Sequence, residues 1–152
     1  MKLLLKLFFF ISTCVLSISY AAADEGKLSV VDVWSRPTIL LDRPGAAYFT
    51  IINNAAHADK LIKATTPLAD RVELHVHQHE DGVMRMLEVD HIPVAANGKT
   101  EVKPGGYHLM LFGLTQKLGM GDSLPLILKL EQSGEIAVNA TISKDALVKS
   151  GQ

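Results

Sequence analysis

Beyond residue 26 the chain is a succession of short apolar–polar runs with turn residues between them. "KLSVVDVWSR" (27–36) alternates and is rich in β-branched residues, and "GAAYFTIINN" (45–54) follows the same pattern. "DKLIKATTP" (59–67) is a third strand, closed by Pro67. "DRVELHVHQ" (70–78) and "GVMRMLEVD" (82–90) flank Glu80-Asp81-Gly82, a hairpin signal. "TEVKP" (100–104) leads through Gly105-Gly106 into "YHLMLFGL" (107–114). "SLPLILKLEQSG" (123–134) and "EIAVNATIS" (135–143) form a closing hairpin around Ser133-Gly134. No stretch sustains a helical period beyond two turns, and "LTQKLGMGD" (114–122) reads as a helical turn or a loop. Strands at this spacing predict an all-β antiparallel sandwich or Greek-key barrel. With no repeat, linker or low-complexity tract, one domain is expected over residues 24–144, followed by a loose tail, 145–152.

The N-terminus follows a different rule. Lys2 and Lys6 precede an apolar stretch from Leu7 to Ile18, and Ala21-Ala22-Ala23 offers a small-residue cleavage site before Asp24. Residues 1–23 therefore read as a secretory signal peptide, too short for a stable membrane span. Cys14 raises the rival of a lipoprotein, but Thr13 is a poor residue before a lipidated cysteine. Cleavage takes the formal net charge from −1 to −3 and removes the single cysteine. A weakly acidic chain without a basic stripe is no nucleic-acid binder. The exported protein has no disulfide and no thiolate ligand, so its metal chemistry must use His, Met and carboxylates.

Those residues cluster. Five of six histidines and three of the four methionines that remain after cleavage (Met84, Met86, Met110) fall within residues 75–110. Alternate strand residues share a face. His75, His77 and His79 thus align on one strand, Met84 and Met86 across the hairpin, and His108 and Met110 on a later strand. Thioethers are soft and neutral; they suit Cu(I) and do little for Zn, Mg or Ca. Hairpin loop length decides the pairing. A four-residue loop at 79–82 places His75 opposite Met86, whereas a two-residue Asp81-Gly82 turn places His77 there.

The chain resembles the periplasmic copper chaperone family PCuAC, which serves the Cu-A centre of cytochrome c oxidase. That family's motif is a His, ten residues, a Met, twenty-one residues, then His-x-Met; here His75, Met86, His108 and Met110 match every spacing. "WSRPT", "GAAYFTIIN", "DRVELH", "DGVMRM", "KPGGYHLMLFGL" and "GDSLPLILKLE" extend the likeness over about residues 28–142. The resemblance implies a cupredoxin-like β-barrel that binds Cu(I) through His75, Met86, His108 and Met110. It implies a periplasmic location and delivery to cytochrome c oxidase subunit II, directly or through a thioredoxin-like copper chaperone. It also favours His75 over His77 as the partner of Met86. Two departures stand out. His75-Val76-His77 replaces the His-Glu-Met run common in the family, and the tail lacks the His and Met with which some members take Cu(II).

Other roles follow from position. His77, His79 and Met84 are auxiliary donors, and His77 and His79 are the ones available to Cu(II). As strand residues alone, those two histidines read as a solvated edge. His57 and His91 lie near turns and should be exposed; Trp34 and Tyr48 should be core, and Tyr107 should pack on the face opposite His108. No nucleophile–base pair stands out, which argues against an enzyme. The rival to a Cu(I) chaperone is a general Cu(II)/Zn-binding or copper-tolerance protein using His75, His77 and His79.

Overall fold

The computed structural model describes residues 28–80 and 82–145. The expected signal segment (1–23) and the tail beyond Asp145 lie outside the described residues. Among the described residues there are ten strands and no helix: β1 (Leu28–Ser35), β2 (Gly45–Asn53), β3 (Asp59–Thr65), β4 (Ala69–Glu80), β5 (Val83–Glu88), β6 (Ile92–Val94), β7 (Gly98–Val102), β8 (Tyr107–Leu114), β9 (Ser123–Leu130) and β10 (Gly134–Ile142). The fold is all-β, as the alternation predicts. β6 has no counterpart in the sequence reading, because three residues are too few to display a period. Of the 114–122 segment, Leu114 ends β8 and residues 115–122 form a loop, held by a bridge between Thr38 and Leu118.

Hydrogen bonding runs through one mixed sheet in the order β5-β4-β8-β7-β2-β1-β10-β9-β3-β6, with β8 also pairing β2. A single core draws on Leu74 of β4, Phe49 and Ile51 of β2, Leu109 and Leu111 of β8, and Leu124, Leu126, Leu128 and Leu130 of β9. Strands from distant places in the order share that core, so the sheet folds over on itself as a sandwich. β9 shows how the sequence drives this: its leucines at even positions are buried, while Ile127 and Lys129 between them face out. Trp34 and Tyr48 are buried, their ring centroids 4.5 Å apart. Tyr107 is partly buried against the core.

Two local devices hold the strands that matter. Gly113, opposite Asp70 where β4 meets β8, has a φ of 65°. A Cβ there would lie 2.0 Å from Asp70 Oδ2, so only glycine fits. On the far side, the buried carboxylate of Asp59 accepts hydrogen bonds from the backbone N–H groups of Lys60 (2.7 Å), Gln132 (3.0 Å) and Ser133 (2.9 Å), and from Ser133 Oγ (2.7 Å). It ties the start of β3 to the β9–β10 turn.

Burial alone would raise the Asp59 pKa, but the hydrogen bonds from Ser133, Gln132 and Lys60 outweigh it and hold the carboxyl below its ordinary value. The folded-state pKa thus lies below the unfolded one. The stabilisation is complete above the unfolded value of about 4 and is lost as pH falls through the folded one. Asp59→Asn should cost about 1–3 kcal/mol at neutral pH by denaturant titration. Its deficit against the wild type should shrink on acidification; a deficit constant down to pH 2 would contradict the assignment.

Candidate metal centre

β5, β4 and β8 lie side by side at one end of the sheet order, and their pairing makes a grid of side chains. On β4 Leu74 belongs to the core and Val72 packs against it, which turns Glu73, His75, His77 and His79 to the other face. Register then fixes the neighbours. His75 lies opposite His108 of β8 and opposite Glu88 of β5. His77 lies opposite Met86, His79 opposite Met84, and Glu73 opposite Met110.

The hairpin corrects one expectation. The four-residue loop that places His75 opposite Met86 is not what forms; Glu80 pairs with Val83, and His77 faces Met86. Gly82, with a φ of 76°, supplies the left-handed backbone that so tight a turn needs. His77 is also not a solvated edge residue. β5 is the edge strand, and the His77 ring stacks on His108 at 4.8 Å between centroids with 22° between planes. His79 is exposed as expected, as are His57 and His91.

Despite the new register, His75 remains the hub. It is directly across from His108 and one diagonal step from both Met86 and Met110. Diagonal neighbours on a sheet are within reach of long side chains. The His75 and His108 rings are 5.8 Å apart and tilted by 47°. An ion about 2 Å from one nitrogen of each of two imidazoles holds their centroids roughly 5–6 Å apart, so this pair has the spacing of two ligands. The stacked His77–His108 pair presents ring faces to each other instead. His75 and His79 are four strand residues apart, about 13 Å, so His75, His77 and His79 cannot close on one ion.

The polar atoms fit a metal. His75 Nδ1 and His77 Nδ1 are buried and lack any hydrogen-bond partner among the described residues. Such orphaned polar atoms are costly unless something fills them. His108, only 3% exposed, donates its Nδ1–H to Gly106 O at 3.1 Å, which leaves the lone pair on Nε2. Burial pushes the His108 pKa down, and the nearby His77 and His75 add to this against the Gly106 hydrogen bond, so His108 is neutral and able to ligate. Met86 and Met84 are about half exposed, at 47% and 58%.

Sequence reasoning missed two acidic neighbours. Glu73, His75 and Glu88 bring one ligand atom each to within 4.8 Å of one another. Glu73 shares strand parity with His75, which was the available signal; Glu88 becomes a neighbour only through register.

An all-β sandwich with an outward His/Met cluster has the architecture of copper-binding domains of the cupredoxin-like class. The family model LpqE-like matches residues 28–142, and the chain belongs to that family. A curated relative, uncharacterized protein RP573 of Rickettsia prowazekii (strain Madrid E), is 27% identical over 125 residues, covering 80% of this chain and 69% of its own. Among solved structures, the copper-bound PCuAC domain from PmoF2 superposes with a TM-score of 0.67 at 21% identity, covering 79% of this chain and 95% of that one. Apo-DR1885 from Deinococcus radiodurans gives 0.61 at 26%, covering 95% and 97%. CuI-DR1885 gives 0.56 at 30%, covering 78% and 77%. The cupredoxin-like fold expected from the sequence is therefore the fold observed.

Because the folded His108 pKa lies below the unfolded value of about 6.5, its contribution to stability is complete above that value and is lost as pH falls through the folded one. An NMR titration of the apo protein should give His108 a midpoint below 6.5. A midpoint at or above 6.5 would show that the ring is not desolvated as described.

Proposed function

We propose that the protein is an exported copper carrier that holds Cu(I) through His75, Met86, His108 and Met110 and passes it to an acceptor by ligand exchange. The observation that carries this reading is the orphaned, buried Nδ1 of His75, set across from His108 and diagonally between two thioethers. Two neutral imidazoles and two thioethers make a soft set suited to Cu(I) in a compartment that would oxidise thiols. The copper-bound PmoF2 domain and CuI-DR1885 support copper as the cargo. The signal-like N-terminus supports export to the periplasm.

His77 serves as cover for His108 and as a nearby auxiliary donor, not as one of the four ligands. Carrying, rather than catalysis, suits the donor set. Met86 is exposed on an edge strand, and neutral thioethers are displaced one at a time by an acceptor's thiolates. The acceptor we favour is the Cu-A site of cytochrome c oxidase subunit II, reached directly or through a thioredoxin-like chaperone. The resemblance of the spaced motif supports that choice.

Anaerobic Cu(I) titration against a competing chelator tests the site. The wild type should bind one equivalent, and His108→Ala, Met86→Leu and Met110→Leu should each weaken binding by at least about tenfold. Binding by His108→Ala equal to the wild type would sink the assignment. If instead both Met→Leu variants bind Cu(I) as the wild type does, the thioethers are not ligands and the His2Met2 assignment fails.

A further inference from the structure

The copper proposal rests on the unpartnered Nδ1 of His75, and a chain of contacts leading to that ring determines why Nδ1 is the nitrogen left free. Arg71, Glu73 and His75 alternate along β4 and share the outward face. The Arg71 guanidinium lies 4.3 Å over the ring of Phe112, its cross-strand partner on β8. Arg71 Nε donates to Glu73 Oε1 at 2.5 Å. The other carboxylate oxygen, Glu73 Oε2, lies 2.8 Å from His75 Nε2. Paired with the Arg71 guanidinium through Oε1, Glu73 is held as a carboxylate.

An ionised carboxylate can only accept. The His75 atom facing it must therefore be Nε2–H, and a neutral ring with Nε2–H carries its lone pair on Nδ1. Nδ1 is the atom found buried with no partner. We infer that Glu73 is a positioning residue: by accepting the Nε2–H of His75 it fixes the tautomer in which Nδ1 is the copper-binding nitrogen. His108 is set in the opposite sense, since its Nδ1–H is committed to Gly106 O and its Nε2 is left to ligate.

The arrangement has a chemical consequence. A carboxylate behind a ligating imidazole raises the basicity of the ring and removes the entropy of choosing a tautomer and orientation. Arg71 braces Glu73 in turn, with its guanidinium lying over Phe112. The side chain of Glu73 is mostly covered, with 18% exposed, and that of His75 is 12% exposed, so water competes little for the contact. The inference rests on the Cu(I) reading only for its functional weight. The tautomer itself is a property of the apo protein.

Long-range ¹H–¹⁵N correlation spectra of the histidine side chains test it directly. In the apo wild type, His75 should appear as the Nε2–H tautomer. On adding Cu(I) anaerobically, the His75 Nδ1 resonance should move and Nε2 should stay protonated. Glu73→Ala should populate both tautomers and weaken Cu(I) binding about 10- to 100-fold, the range for loss of an outer partner of a metal-bound histidine. Glu73→Leu keeps side-chain bulk without an acceptor and makes the same test if the alanine variant does not fold. An Nδ1–H tautomer in the apo wild type, a copper shift on Nε2, or an unchanged tautomer in the folded variant would each overturn the inference. The two readings fail separately. A wild type that binds no Cu(I) defeats the carrier proposal, and the apo tautomer still decides the role of Glu73.

Discussion

The antiparallel pairing of β4 with β8 is the contact on which the rest of the molecule depends. Its inner face puts Leu74 against Leu109 and Leu111 in the core, and its outer face puts His75 against His108. The two faces cannot be set independently, because side chains alternate along both strands. Slipping the pairing by one residue would bring leucines to the surface and drive histidines into the core. Hydrophobic burial therefore enforces the His75–His108 pair, at no separate cost to the site. Gly113 serves the same pairing by letting the backbone pass under Asp70.

The centre grades from buried to open across three strands. His108 is nearly sealed, covered by the rings of His75 and His77; Met86 and Met84 on the edge strand are open to solvent. Burial keeps His108 neutral, which a ligand requires, because the charged form would lose its hydration. Exposure leaves the thioethers accessible. A gradient of this kind suits the proposed carrier, whose cargo would enter and leave by the edge strand while its imidazole anchors stay fixed. Methionine fits the mobile end, having three rotatable bonds and no charge to desolvate.

Carboxylates complete the picture on the other flank. Glu73 and Glu88 lie beside His75, but they are hard donors next to a soft set. Arg71 neutralises Glu73 and directs its second oxygen to the His75 ring. Glu73 thus acts on the imidazole, and in the proposed carrier the thioethers and ring nitrogens choose the metal. The face reads as one apparatus extending from Phe112 through Arg71, Glu73 and His75 to His108 and Met110.

Much of this was legible in the residues. Alternation marked nine of the ten strands, because strand burial has a period of two that eight-residue runs display clearly, and the three-residue β6 escaped it. The clustering of His and Met and the absence of cysteine from the expected exported chain pointed to soft-metal chemistry, since donor type is a property of residues themselves. Three matters needed the tertiary structure. The hairpin turn set His77, not His75, opposite Met86, because backbone angles at Gly82 chose the tighter of two loops. The ring stacking of His77 on His108 followed from β4 being an interior strand, and sheet order is not written in local periodicity. Glu88 reached His75 only through cross-strand register. The sequence determined which donors exist and which strands carry them. Only the packed sheet decided which donors meet, because pairing across strands is set by burial and turn geometry summed over the whole fold.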